Sequence, residues 1–419
     1  MIAYTFPPYQ GIGGRRWAKF AKALARRGHT VHVIHSKGPE EMKGSFWTED
    51  IQHPNIIVHP LPQRYPTVLY KRRLDSVFEK IMYRFWLRVL PLFVRGNPLD
   101  KTVLWRKQLL REAGRLIEAH GIQHVMVTGA PFRLLAFGVD IKRAHGIQLT
   151  CDLRDPWTWH DAYGFAKLDN KRREYERKLE REVMEESHRV VSPHRSVVEH
   201  LRNTYPEQAA KCVVLPHAVD PDELGTPAPP RTDDEFRLIY AGSLYGEKEA
   251  EAYFGEVLKA FATLRDTAPD RFKRTRLDLY ITGPDVRSYQ QRIVDHGMQD
   301  RIRFHEPLPT KEIFDLLRQA NAILTFIPSF NKDLLGTKFT EIFYLRRPVI
   351  HVGERGDVSD YILKHRLGSS IAVSDLAVEL PRIVLGQRVI EIDPHHDLSA
   401  HMLDHITTQL EREVLGTIA

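Results

Sequence analysis

The feature that most restricts this chain is a repeated alternation of short apolar runs with stretches of helical spacing, interrupted once by a proline-rich polar segment. Residues 1–5 read as a short strand. Over residues 15–27, Trp17, Phe20, Ala21, Leu24 and Ala25 recur at helical intervals, and Gly28-His29 ends the pattern. Residues 30–35, rich in β-branched side chains, form the next strand. Further strands are expected at 124–128, 149–153 and 189–192, separated by helices over 103–120, 134–145 and 170–186. Strands that alternate with helices in this way build a parallel sheet covered on both faces.

Residues 220–235 break the alternation with Pro221, Gly225, Pro227, Pro229 and Pro230, and read as a linker. Strands then resume at 236–241, 277–281, 301–305, 322–326 and 348–352, with helices over 247–264, 313–320 and 337–345. Residues 394–415 carry a last helical pattern. The chain is therefore expected to be α/β, with two βα domains in tandem joined near residue 220.

The hydrophobic share of 42% is normal for a globular protein and excludes wholesale disorder. No apolar run is long enough to span a bilayer. Cys151 and Cys212 are too few and too far apart for a disulfide framework or a thiolate metal cage, and suit a reducing cytosol. The opening Met1–Pro8 has no basic or apolar signal region, so a cytoplasmic location is expected. Charge is uneven. Residues 1–220 hold 36 Lys and Arg against 23 Asp and Glu; residues 221–419 hold 25 against 31. A basic first half fits an anionic partner, whether phosphate, nucleic acid or a membrane surface, or else is a solubilising excess.

Three loops have the makings of a phosphate site. Gly11-Ile12-Gly13-Gly14-Arg15-Arg16 lies between the first strand and the first helix. Glycines there let backbone approach a ligand, the helix N-terminus offers unbonded N–H groups, and arginines add planar donor forks. The plainer reading is a tight turn. In the second half, Gly336-Thr337 reads as a turn and cap, with Lys338 and Glu341 three apart on one helical face. There a carboxylate can accept ribose hydroxyls while N–H groups hold a diphosphate; the alternative is a capping box alone. The third loop, Gly242-Ser243-Leu244-Tyr245-Gly246, runs from a strand toward Lys248, which reads either as a partner for a leaving diphosphate or as a solvated lysine.

Together these pieces resemble the retaining glycosyltransferases of family 4. The likeness covers nearly the whole chain. It rests on Phe6-Pro7-Pro8 with the glycine loop, Thr128-Gly129-Ala130-Pro131, Asp152-Leu153-Arg154-Asp155-Pro156-Trp157, Val191-Ser192-Pro193 and Leu215-Pro216-His217-Ala218-Val219-Asp220. The resemblance implies a GT-B fold, two Rossmann-like domains facing a central cleft. An acceptor-side domain would span 1–220 and a nucleotide-sugar domain 221–393, with a C-terminal helix over 394–419 crossing back to the first. It implies donor binding by Gly13, Gly14, Arg15, Gly242, Ser243, Lys248, Gly336, Thr337, Lys338 and Glu341, and catalytic roles for Asp155, Arg154 and Lys248.

The nucleotide-sugar donor would be a co-substrate, with no other cofactor and no metal. No His-Glu-x-x-His motif occurs, and the spaced carboxylate pair Asp220-Pro221-Asp222 falls in the linker rather than in a candidate donor loop. Three positions depart from the usual family pattern. Asp333 replaces the first glutamate of Glu-x7-Glu, Ser243 stands where an arginine is usual, and Arg154-Asp155 stands where many relatives carry histidine. The last resembles an "RDxW" branch found in bacterial surface-polysaccharide pathways. The expected activity is retaining transfer of a hexosyl or related sugar to a glycan or lipid-linked acceptor. The alternatives are a GT-B nucleotide-sugar epimerase, or a transferase acting on a small-molecule acceptor. In the chemistry so implied, Asp155 is either a base or acceptor-positioning carboxylate, or a structural partner of Arg154. Nucleic acid is not expected as a partner, because no recognition motif accompanies the basic charge.

One further segment stands apart. Over residues 72–89, Leu74, Val77, Phe78, Ile81, Met82, Phe85, Trp86 and Val89 fall on one helical arc, with Arg73, Lys80, Arg84 and Arg88 opposite. This periodicity fits either docking on the domain core or, through residues 72–95, peripheral contact with the anionic inner face of a membrane.

Overall fold

The computed structural model describes residues 1–38, 42–71, 74–159, 162–225, 233–244, 247–282 and 286–416. Arg72, Arg73, Pro227, Pro229, Pro230, Tyr245 and Gly246, singled out above, lie outside the described residues. The chain divides into two compact units, one comprising Met1–Pro216 with Leu403–Ala419 and the other His217–Met402.

The first unit carries strands β1 (Ile2–Ala3), β2 (Val31–Lys37), β3 (Ile56–Pro62), β4 (His124–Gly129), β5 (Gln148–Leu153), β6 (Arg189–Ser192) and β7 (Cys212–Val214). Its helices are α1 (Arg15–Arg26), α2 (Val77–Phe93), α3 (Arg106–His120), α4 (Arg133–His145), α5 (Asn170–Glu186) and α6 (Arg195–Thr204). The sheet is parallel, in the order β3-β2-β1-β4-β5-β6-β7. Chain order reverses between β1 and β4, and such switch points are where open α/β sheets receive ligands, outside the carboxyl ends of the strands.

The second unit has strands β8 (Phe236–Gly242), β9 (Thr275–Ile281), β10 (Ile302–His305), β11 (Ala322–Ile327), β12 (Val349–Gly353) and β13 (Gly368–Ile371). Its helices are α7 (Glu247–Thr267), α8 (Pro269–Lys273), α9 (Arg287–Asp295), α10 (Thr310–Arg318), α11 (Thr337–Tyr344), α12 (Asp357–Lys364) and α13 (Leu376–Val384). The parallel order β10-β9-β8-β11-β12-β13 puts the switch point between β8 and β11. Each central strand feeds two cores by alternation: Leu238, Tyr240, Leu324 and Phe326 pack on one face, Ile239, Ile323 and Ile327 on the other. That two-sided burial is why these strands read as continuous apolar runs rather than alternating ones.

Elements with weaker sequence signals were not anticipated. β3 contains Pro60 and Pro62 and sits at the sheet edge, where a missing N–H is tolerated. β7 and β13 are short edge strands, and β13 reads Gly-Ser-Ser-Ile with no apolar run. The helical pattern expected over 394–415 is not one helix. Asp393 and Asp397 accept hydrogen bonds from the backbone N–H groups of His395 and Ser399, at 2.9 and 2.8 Å, and hold local turns. The helix α14 then runs only over Leu403–Gln409, with a π-helical turn Leu410–Leu415 after it. This last segment is pinned within the first unit. Arg27 at the end of α1 pairs with Asp404 and Glu411, and Gln409 Nε2 donates to the Val214 carbonyl at 3.1 Å.

The amphipathic segment also differs from its expected form. Ser76 caps α2, accepting from Glu79 N–H at 3.1 Å, so the helix starts at Val77 and reaches Phe93. Trp86, Leu90 and Val94 turn inward, against Tyr65, Leu69 and Val103. Val77, Phe78, Ile81 and Phe85 face outward, in company with exposed Lys80, Arg84 and Arg88.

Candidate functional site

In the first unit the site begins at the loop leaving β1. Gly11 has φ 142°, and a Cβ on Gly14 would lie 2.8 Å from both the Thr5 carbonyl oxygen and Phe6 Cα, so the turn requires glycine there. Gly14 N–H donates to Gly11 O at 3.1 Å, so this amide, expected to face a diphosphate, is used inside the turn. Gly13 contributes its carbonyl, which accepts Arg154 Nη1 at 2.7 Å. The same guanidinium donates from Nη2 to Ala130 O at 3.3 Å and from Nε to Asp155 Oδ2 at 3.2 Å. One side chain therefore joins the loops after β1, β4 and β5, and leaves the Asp155 carboxylate beside it with a favourable charge.

Below this layer lies Asp152, fully buried at the end of β5. Its Oδ2 accepts Trp17 Nε1 at 2.6 Å and Thr128 Oγ1 at 2.9 Å, and stands 3.7 Å from Arg16 Nε. The β4–β5 register sets Thr128 directly opposite Asp152. Arg16 extends to the Leu215 and Pro216 carbonyls at 2.6 and 2.7 Å, tying the start of α1 to the strand exit after β7. Burial lowers its pKa to about 10, so it remains charged at neutral pH. Arg15 is also buried, with its guanidinium carbon 5.4 Å from the Trp47 ring centre.

His194, at the cap of α6, is a member of this site that sequence reasoning missed. It is buried, and burial pulls its pKa down to about 4 against the opposing pull of the Asp155 charge. At neutral pH a neutral imidazole thus faces the Asp155 region. Its signal in the sequence was only adjacency to Ser192-Pro193 at a strand end. The Asp152 cluster was equally silent, because the partners Trp17, Thr128 and Asp152 come from separate elements.

In the second unit the site lies at the ends of β8 and β11. Gly242 has φ 145°, and the Lys338 ammonium sits 2.8 Å from where a Cβ on Gly242 would be. The close approach of the two requires glycine, and Lys338 Nζ lies 4.6 Å from the Tyr240 ring centre. Tyr240 in turn donates its hydroxyl to Ser243 O at 2.9 Å. Among the described residues no carboxylate pairs with Lys338. Burial alone pulls its pKa down to about 8. Ser243 Oγ and Thr282 Oγ1 are hydrogen-bonded at 2.9 Å.

Gly336 caps α11 with no side-chain bond, and nothing lies within 4 Å of where its Cβ would be, so the space over this helix start is open. Thr337 uses its carbonyl to accept Thr340 Oγ1 at 2.9 Å, so the capping box considered for the sequence is not formed. Glu341 is buried one turn further along. Lys248 is exposed in the first turn of α7, and no described contact joins it to Lys338. Its neighbour Glu249 instead holds Ser329, accepting from the backbone N–H at 2.8 Å and from Oγ at 2.6 Å, which links the exits of β8 and β11. Asp333 turns to α12, accepting Asp357 N–H at 3.3 Å. Among the described residues no group of three or more His, Cys, Asp or Glu is arranged to hold a metal ion.

A sequence profile for Glycosyltransferase Family 4 matches residues 13–223. No curated protein sequence matches the chain. Among solved structures, HepE from Anabaena, in complex with UDP and glucose, superimposes with a TM-score of 0.63 at 12% identity, over 100% of this chain and 99% of that one. The apo lipopolysaccharide outer core galactosyltransferase WaaB gives 0.58 at 11% identity, over 100% and 99%. The UDP-GlcNAc 2-epimerase from Methanocaldococcus jannaschii gives 0.53 at 11%, over 96% and 96%. These likenesses show the architecture, the GT-B fold.

Proposed function

The chain belongs to glycosyltransferase family 4 and is a glycosyltransferase, and from that premise we propose that it moves a sugar, with retention of configuration, from a nucleoside diphosphate to a bacterial surface glycan or lipid-linked acceptor. The observation that carries the donor half is Lys338. A desolvated ammonium beside a glycine at the switch point, with no carboxylate partner among the described residues, is a counter-charge waiting for an anion. HepE holds UDP and glucose, which makes uridine diphosphate sugars the first donors to test. WaaB, a lipopolysaccharide outer core enzyme, supports the surface-glycan reading of the acceptor.

In this proposal Glu341 accepts the ribose hydroxyls, the open start of α11 at Gly336 and Thr337 meets the diphosphate, and Lys338 stabilises the departing charge. Gly242 and Ser243 line the same strand exit, and Lys248 approaches from α7. In the first unit Arg154 and Asp155 orient the acceptor hydroxyl, with Gly13, Gly14 and Arg15 building the loop beside them. The leaving phosphate itself takes the acceptor proton, so no protein nucleophile is required. Incubation with a panel of nucleotide sugars, with and without acceptor extracts, tests the reading. Release of nucleoside diphosphate with an α- or β-linkage matching the donor supports it. An epimerised sugar nucleotide without net release would instead support the second reading, an epimerase of the same fold.

Two expectations follow for the donor side. Glu341→Ala should weaken nucleoside diphosphate binding by about 10- to 100-fold, since hydrogen bonds to a charged acceptor contribute about 1.5–3 kcal/mol. Calorimetric titration checks this, and an unchanged dissociation constant would remove Glu341 from the ribose. Turnover should also survive excess EDTA, because Lys338 and the open helix start carry the leaving-group charge. Activity lost to EDTA and restored by Mg²⁺ or Mn²⁺ would overturn that assignment.

A further inference from the structure

Among the described residues, the outward face of α2 is a large apolar surface that the core of the first unit leaves unused. Val77, Phe78, Ile81, Phe85, Leu92 and Phe93 are each between 48% and 80% exposed. They recur along one side of a helix whose other side is already docked through Trp86, Leu90 and Val94. An aqueous surface does not ordinarily carry so many large apolar side chains together. No helix among the described residues is long and apolar enough to cross a membrane, so α2 does not span one.

The charges around the stripe select its partner. Lys80, Arg84 and Arg88 follow one another at intervals of four along its border, all exposed, and none has a carboxylate partner among the described residues. Glu79, the only carboxylate in the helix, is already engaged by Lys71 at 2.6 Å and by the Asp75 N–H at 2.8 Å. At the C-terminal end of the helix Leu92 and Phe93 form the rim of a cavity of about 550 Å³, with exposed Arg95 and Lys171 beside them. Arg172 shapes the cavity by donating to the Pro91, Val94 and Gly96 carbonyls at 2.6–2.7 Å, with Asp169 paired to it at 3.3 Å. A second copy of the chain, related by a two-fold axis, would set these cations against their own images. An apolar layer covered by a sheet of anions suits both halves of the surface.

We infer that the exposed face of α2 docks in the surface of an anionic lipid bilayer, and that the cavity beside Leu92 and Phe93 receives a lipid phosphate headgroup through Arg95 and Lys171. The binding requires no donor or acceptor sugar, so it stands or falls apart from the catalytic reading.

Flotation of the full chain with lipid vesicles tests it. Wild type is expected to float with vesicles of mixed phosphatidylcholine and phosphatidylglycerol, and to remain behind with phosphatidylcholine alone. Ile81→Ser/Phe85→Ser/Phe93→Ser is expected to lose the bound fraction by about tenfold or more while melting like wild type, because these side chains are exposed. Arg95→Glu/Lys171→Glu is expected to weaken binding to the anionic vesicles by several-fold. Wild type that floats with neither vesicle, or equally with both, would overturn the proposal. So would serine variants that float like wild type, or an α2-dependent dimer that persists beside unbound vesicles.

Discussion

Lys338→Met is expected to reduce turnover by about 10²- to 10³-fold and, in the same protein, to raise thermal stability. Losing one preorganised donor to a departing anion has effects of that size on rate. The stability gain comes from the opposite side of the same fact. The half-buried ammonium lies against Tyr240 with a pKa of about 8, below the value near 10.5 it has in an unfolded chain. At about 1.4 kcal/mol per tenfold in proton affinity, holding it charged costs the fold about 3 kcal/mol at neutral pH. The unfolded chain binds more protons between pH 8 and 10.5, so wild-type stability should rise across that window while the methionine variant stays level. Affinity for nucleoside diphosphate should fall above pH 8 in wild type, as Lys338 loses its charge. Urea titrations at several pH values, paired with steady-state rates, read both halves. A variant that turns over normally removes Lys338 from the reaction; one that melts lower shows it to be a structural residue.

Asp152→Ala is expected to destabilise the first unit by about 3–5 kcal/mol, the effect of stripping one partner from a buried charge cluster. The fully buried carboxylate satisfies Trp17 and Thr128 and sits 3.7 Å from buried Arg16. Its removal leaves two donors unmet and a cation without its counter-charge. Denaturant unfolding followed by the fluorescence of the six tryptophans, all of which lie in the first unit, should show the midpoint fall. Asp152→Asn keeps an acceptor but not the charge, and should lie between. If alanine costs less than about 1 kcal/mol, water reaches the cluster and the hub is not a closed one.

Much of this architecture is legible in residue order. The strand β11, buried throughout, is apolar except for Thr325, and helices such as α5 have clear periodicity. Glycine loops at the ends of β1 and β8, and the cap before Lys338, can be read from residue type and spacing alone. What sequence could not supply is convergence. Arg154 reads as half of a pair with its neighbour Asp155, yet it also donates to the carbonyls of residues 13 and 130, on other loops. His194 gains meaning only when the end of β6 is set beside the end of β5. The amphipathic pattern of α2 likewise fitted a docked helix as well as a surface one. The helix is docked through Trp86 and Leu90 and bare on its other side, and that division is a property of the packed molecule.

The route of the chain through the two units orders the events of synthesis. The first unit takes its sheet from the first half of the chain, but α14, pinned by Arg27 and by Gln409, comes only after the whole second unit has been made. A ribosome therefore releases 217–402 as a continuous segment able to fold while the first unit still lacks its closing piece. Fragments cut after Pro216 carry that deficit permanently, leaving the surface of α1 around Arg27 and His29 open to water. Co-expressing the C-terminal segment in trans, or joining it directly behind residue 216, should restore what truncation removes.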